Sequence, residues 1–188
     1  EEPVDDHGPR QRDSGQREPR RPRRRLRNPL SAEYARQHDI AGNPRHFALD
    51  YWLIEPGIGY KALTLRGGYE RLEGNGTVAL QTPLATLHAF NGWADKFLTT
   101  PAAGLRDVYI DAGWKVTAKG PLKGLALRGM WHDYRSTQGA VDYGQEWDAS
   151  AALPLNKAIT VGIKGARYDA HSFATDTTKA WFWIEAKF

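Results

Sequence analysis

The chain has 188 residues and a formal net charge of +4, with no cysteine, a single Met, 19 Gly, 8 Tyr and 7 Trp. That length can hold one domain with a sizeable core, and the lack of cysteine excludes a disulfide framework, a thiolate metal site and a thiol nucleophile. No apolar run approaches the roughly 20 residues of a transmembrane helix, so any membrane crossing falls to strands, which the Gly and aromatic content favours.

Residues 1–29 stand apart. Arginines crowd this stretch, including Arg20-Arg21 and Arg23-Arg24-Arg25, among prolines and almost no large apolar residue. Such a segment buries too little surface to offset its ordering entropy, so it reads as a disordered, Arg/Pro-rich leader. A basic arm of this kind binds nucleic acid, lipid headgroups or anionic polymer by counterion release. No aromatic interleaves the arginines, however, and a low-complexity tail is the stronger reading, with no nucleic-acid partner expected. No signal peptide opens the sequence, although an exported barrel needs one before processing. The expectation is a removed signal or a fragment.

From residue 30 onward the pattern is period-two alternation, predicting eight antiparallel strands at about 30–38, 46–54, 60–72, 106–118, 122–134, 141–153, 157–169 and 178–188. One face of each is apolar: Ala32 and Tyr34; Phe47, Leu49, Tyr51 and Leu53; Leu63, Leu65 and Tyr69; Val108, Ile110 and Trp114; Leu125, Leu127 and Trp131; Trp147, Ala149 and Leu153; Ile159, Val161 and Ile163. Tyr and Trp fall near strand ends, where an interfacial girdle would lie. The opposite faces carry charge, with Asp50, Glu70, Asp111, Glu146 and Asp148 sharing them with Arg66, Lys115, Lys123, Arg128 and Lys164. Those five cations form a candidate ladder along a lumen, and cross-strand pairing with the acids is the competing reading.

Connection lengths agree with an up-and-down transmembrane β-barrel. Short turns are expected at 55–59, 119–121 and 154–156, and longer connections at 39–45, 73–105, 135–140 and 170–177, as in barrels that alternate periplasmic turns with outer loops. The long connection 73–105 is too apolar to dangle. Leu84, Leu87, Phe90, Trp93, Phe97 and Leu98 recur at spacings of three or four, predicting a short amphipathic helix that packs into the barrel mouth as a constriction loop. Within it His88, Trp93, Asp95 and Lys96 are the candidate lining residues. No Ser or Cys nucleophile accompanies them in a recognisable motif, and anchoring hydrogen bonds outweigh catalysis. The six histidines show no metal-ligand spacing, no nucleotide-binding loop is present, and neither a metal, nor a cofactor, nor an enzymatic role is expected.

The stretch Gly74–Pro101, including Leu87-His88-Ala89-Phe90-Asn91-Gly92-Trp93-Ala94-Asp95-Lys96-Phe97-Leu98, resembles a signature segment of the alginate-export family of bacterial outer-membrane barrels. Asp50-Tyr51-Trp52-Leu53-Ile54-Glu55 and Gly67-Gly68-Tyr69-Glu70 fit that family's strand pattern too, and the likeness runs over about residues 31–188. Members are longer, with around sixteen to eighteen strands, so the resemblance implies that this chain corresponds to their C-terminal part. It also implies export of an anionic polysaccharide such as alginate, with the cation ladder as its selectivity element.

The last strand closes the reading. Phe182, Ile184, Ala186 and the terminal Phe188 share one face, the form of strand with which Gram-negative outer-membrane barrels commonly end and which their assembly machinery reads. The expectation is thus an outer-membrane export or diffusion channel of porin type, part of a larger barrel, with outer-membrane lipid and the barrel-assembly machinery as partners. Two alternatives stand beside it: a closed eight-stranded outer-membrane enzyme or adhesin, and a soluble β-barrel with a nucleic-acid-binding tail.

Overall fold

The structure, a computed structural model of the chain, describes residues 26–82 and 91–188. The leader residues 1–25, and with them most of the expected disordered segment, lie outside the described residues. So does His88.

Eight strands follow one another as an antiparallel meander: β1 (Leu30–His38), β2 (Ala48–Tyr60), β3 (Leu63–Leu72), β4 (Leu105–Lys115), β5 (Ala126–Arg135), β6 (Asp142–Pro154), β7 (Ile159–Ala170) and β8 (Thr177–Ala186). They form one sheet in sequence order, each strand paired only with its chain neighbours, and the sheet is not closed, since β1 and β8 do not pair with each other. The strand count and up-and-down order agree with expectation; the closed ring does not appear within these residues.

Strand limits move at two places. The expected turn at 55–59 is strand: Gly57 pairs with Arg66 and Pro56 lies opposite Leu30, leaving Lys61-Ala62 as the real two-residue reversal. Lys61 adopts φ 57, the left-handed conformation such a reversal demands. Pro56 is tolerated because the β2–β3 ladder lapses there: the neighbouring Gly57 N–H donates to Pro29 O on the β1 side, and Glu55 and Pro56 have no register partner in β3, so the missing N–H leaves no ladder bond unmade. The connection after β4 runs from 116 to 125 and curls on itself, with Val116 N–H donating to Leu125 O and Gly124 N–H to Val116 O. Strict alternation of short and long connections therefore fails there. Lys123 sits in this turn, exposed, and not on a strand as expected.

The sheet has two chemically distinct faces. On one, exposed apolar side chains run without interruption from strand to strand: Tyr34 opposite Trp52, Ile54 opposite Tyr69, Ile58 opposite Leu65, Leu63 opposite Trp114. The band continues through Trp131 opposite Trp147 and Ile163 opposite Phe182, the last 70% exposed. The other face carries the core, where Tyr134, Tyr168 and Leu105 are fully buried. Strand β2 reverses the expected assignment. Leu49 and Tyr51 are buried on the core face, while Trp52, Ile54, Ile58 and Tyr60 are exposed on the outer one and Asp50, expected on the charged face, turns outward to accept a hydrogen bond from Tyr34 Oη at 3.0 Å. Both parities of β2 are apolar, and the inner set has the folded-back loop to pack against.

Two glycines admit aromatic rings onto the core face. A Cβ at Gly68 would overlap the ring of its register partner Tyr109, and one at Gly162 the ring of its partner Trp183. A glycine's bare surface is thus covered by the ring across the ladder, which restores the packing that the missing side chain forgoes.

Candidate functional site

The segment 91–100 leaves the loop after β3 and seats itself on the core face near the ends of β3 to β7, where it becomes part of the hydrophobic core through Trp93, Ala94 and Phe97. It holds no helix: bends and turns replace the amphipathic helix that the spacing predicts, with Asn91, Gly92 and Asp95 all in the left-handed region (φ 52, 86 and 59). Three left-handed residues in five cannot propagate a right-handed helix. The part of the expected helix at 83–90 lies outside the described residues.

A ring cluster anchors the far end of the segment. Phe97 packs against Tyr134 (4.5 Å between centroids), Phe173 (5.2 Å), Tyr143 (6.0 Å) and Tyr168 (6.1 Å). At the near end the anchors are carboxylates. Asn91 Nδ2 donates to Glu70 Oε2 at 2.7 Å and lies 3.4 Å from Asp107 Oδ2; Trp93 N–H donates to Asp148 Oδ2 at 3.2 Å, and Ala94 N–H to Glu146 Oε1 at 2.6 Å. Backbone amides that no strand or helix engages thereby find acceptors, as buried N–H groups must. Gly92 makes the approach possible, since a Cβ there would overlap the Tyr134 hydroxyl and stand 2.6 Å from Glu146 Cδ.

Beneath the segment lies a layer of ionisable side chains that solvent barely reaches. Glu70, Asp107, His132, Glu146 and Asp148 are between 0 and 8% exposed. Tyr51 Oη donates to Glu70 at 2.9 Å, and His132 Nδ1 lies 2.9 Å from Asp107 Oδ2, fixing Nδ1–H toward β4. His132 Nε2 is then turned toward Asp148, 3.9 Å away, and stacks its ring on Tyr134 (5.4 Å). Glu146 and Asp148 are same-face neighbours on β6.

The five expected lumen cations separate into three positions. Arg66 bridges Glu55 (3.2 Å) and Asp111 (3.0 Å), and Arg128 clamps Asp111 through Nε (2.9 Å) and Nη2 (3.1 Å). Lys164 lies over the rings of Trp93 (5.2 Å) and Trp181 (4.6 Å), with Arg128 also over Trp93 at 5.9 Å. These three converge beside the seated segment. Lys115 occupies the end of β4 away from it, exposed, and Lys123 is in the turn beyond. The pairing of Arg66 and Arg128 with one carboxylate favours the self-paired reading of the charged face over an unbroken ladder. Arg66 and Arg128 nevertheless keep some two-fifths of their side chains exposed, whereas Asp111 is buried under them (41%, 42% and 5%). A cavity of about 210 Å³ opens here, lined by Glu55, Arg66, Trp93, Tyr109, Arg128 and neighbours.

Of the other expected loop residues, Asp95 bonds Lys179 at 2.7 Å and Lys96 stands over the Tyr168 ring at 5.7 Å. Trp93, Asp95 and Lys96 are part of the seated segment, and Phe97, expected among the apolar residues that pack this loop, anchors it; Asn91 and Gly92, which also hold it, were not singled out. The Asn91-Gly92 pair carries the one local sequence signal for it. Among the described residues no cluster of three or more His, Asp and Glu side chains is arranged to hold a metal ion. Phe182 and Ile184 are exposed on the apolar face, and Phe188 follows the end of β8.

No protein-family model, curated protein or solved structure matches this chain.

Proposed function

We propose that the chain forms part of the wall of a bacterial outer-membrane β-barrel through which solutes pass, with residues 91–100 narrowing the passage. The observation that carries this reading is the exposed apolar band across all eight strands, backed by a polar, charged face. A soluble sheet exposes its polar side and buries its apolar one; here the order is inverted, which suits hydrocarbon outside and water within. Exposed aromatic residues at strand ends, Tyr60 closing β2 and Trp114 near the end of β4, suit the interfacial level. The open sheet is in keeping with further strands completing a larger ring, and the exposed Phe182 and Ile184 with lipid contact and with recognition by the assembly machinery.

The solute is an anion on this reading. Arg66, Arg128 and Lys164 present cationic surface around Trp93, above carboxylates that are themselves covered. The resemblance to alginate exporters supplies the finer proposal, an anionic polysaccharide.

The test is reconstitution. Full-length chain extracted from outer membranes in detergent should migrate differently on gels before and after heating, and should conduct in planar bilayers with a reversal potential of anion-selective sign. A stable monomer in water without detergent would refute the membrane reading. Conductance with cation preference would retain the barrel and refute the solute class.

A further inference from the structure

The carboxylates under the seated segment are out of balance with the cations near them. Glu70, Asp107, Glu146 and Asp148 share one buried layer, and their hydrogen-bond donors from Tyr51, Asn91, Trp93 and Ala94 are neutral. From β5 the layer receives His132 and the Tyr134 hydroxyl, and from β7 Lys164 and Tyr168. On β3 to β5, Arg66 and Arg128 face Asp111 together with Glu55 from β2, and Tyr109 Oη donates to Glu55 at 2.6 Å, so that group is balanced within itself. From the segment, Asp95 is engaged by Lys179 of β8, and Lys96 stands over Tyr168. Crediting both Lys164 and a fully charged His132 to the layer, four carboxylates still face two cationic groups. Unbalanced charge sealed away from water is costly, and a carboxylate in that position takes up a proton instead.

We propose that seating of residues 91–100 is linked to proton binding: the seated form holds at least one more proton, shared among Glu70, Glu146 and Asp148, than the form with the segment lifted. Lifting the segment admits water to the layer, and the carboxylates then ionise at their ordinary strength. Acid consequently keeps the segment seated, and rising pH frees it. The population ratio changes by about tenfold per pH unit for each proton released, across the range in which the buried group titrates. The seat itself is a compact latch: two backbone amides and one side-chain amide on three carboxylates, closed by Gly92 against Tyr134 and Glu146.

Hydrogen exchange on the full-length protein in detergent micelles, expressed as protection factors so that intrinsic pH dependence is removed, reads this directly. The amides of Trp93 and Ala94 should lose protection as pH rises from mildly acidic to mildly alkaline, by about tenfold per unit in the steep region, while Ile110 and Met130 in β4 and β5 stay protected. The double variant Glu146→Gln with Asp148→Asn, which fixes neutral acceptors, should flatten the slope. Wild-type protection that is constant or rises with pH overturns the proposal, as does an unchanged slope in a variant whose strands remain protected. Should the variant lose its strand protection, the sign of the wild-type slope decides alone. Conductance plays no part in the readout, so a failure here is distinct from a failure of the passage reading.

Discussion

Replacing Gly92 with alanine tests the seat at its tightest point. Two effects add. Residue 92 has φ 86, where a side chain is strained by roughly 1–2 kcal/mol. Its Cβ would also overlap the Tyr134 hydroxyl and approach Glu146 Cδ to 2.6 Å. Tyr134 cannot swing aside, being fully buried between Phe97 at 4.5 Å and His132 at 5.4 Å, so overpacking adds about 1–3 kcal/mol. Together these shift the seated-to-lifted ratio by about 2–5 kcal/mol, a factor on the order of 30 to several thousand at 1.4 kcal/mol per decade. Trypsin cleavage after Lys96 at fixed pH reports the lifted population when opening is fast relative to cutting. Gly67→Ala serves as the control, because a Cβ there has its nearest neighbour, Tyr109 O, at 3.9 Å. Cleavage of Gly92→Ala within about threefold of the wild-type rate would refute the account of how the segment is held.

Three further outcomes are expected. Phe97→Ala removes a ring that touches Tyr134, Tyr143, Tyr168 and Phe173 and should lower stability by about 3–5 kcal/mol in denaturant titration; a loss under about 1 kcal/mol would mean the ring cluster does not anchor the segment. Ile110→Lys, at a half-exposed outward position, should cost about 2–4 kcal/mol when that face meets lipid, read as a reduced yield of heat-modifiable protein after folding into vesicles, whereas a face in water would tolerate it. In the β1–β2 loop, the Phe47 N–H and then the His46 ring hold the Asp39 carboxyl below its ordinary value. A depressed carboxyl adds stability that is present above its unfolded pKa and lost as pH falls through the folded one. The Phe47 amide resonance should accordingly move only under strongly acidic conditions and not at all in Asp39→Asn; a midpoint at or above the ordinary aspartate value would contradict this.

Most of the sheet was legible because alternation on one side of a strand has a single physical cause. On β3 to β8 the apolar parity predicted the outward face at Leu63, Ile110, Leu127, Trp147, Ile163 and Phe182. Strand β2 defeated the same rule because Leu49 and Tyr51 serve a core supplied by a loop, while Trp52 and Ile54 serve the outer band. Alternation cannot choose between two apolar parities. Glycine and proline at 55–59 suggested a turn, yet a lapse in β2–β3 pairing at Glu55 and Pro56 lets the strand run through. The seat was half visible. Trp93, Asp95 and Lys96 stood out by type, but the amides of Trp93 and Ala94 that bind Asp148 and Glu146 are backbone groups, which every residue carries and no sequence distinguishes. Glu70, Asp111, Glu146 and Asp148 lie on the inner face as expected, whereas Asp50 turns outward and Asp107 was not singled out; the path of the covering segment depends on left-handed residues at 91, 92 and 95.

Strands β1 and β8 pair on one side only within the sheet. A row of unpaired N–H and C=O groups in hydrocarbon costs several kcal/mol for each group stranded there. In the barrel proposed above, the apolar band is driven out of water and draws those same edges inward. The two demands set an order of events. Edge partners have to be found before or during entry into lipid, and a copy that reaches the bilayer unaccompanied is held at its surface. Left in water instead, the same edges template pairing with any exposed strand they meet. On the proposed membrane reading, folding and acquiring neighbours are one process, and the yield of inserted protein is set by how quickly β1 and β8 are met.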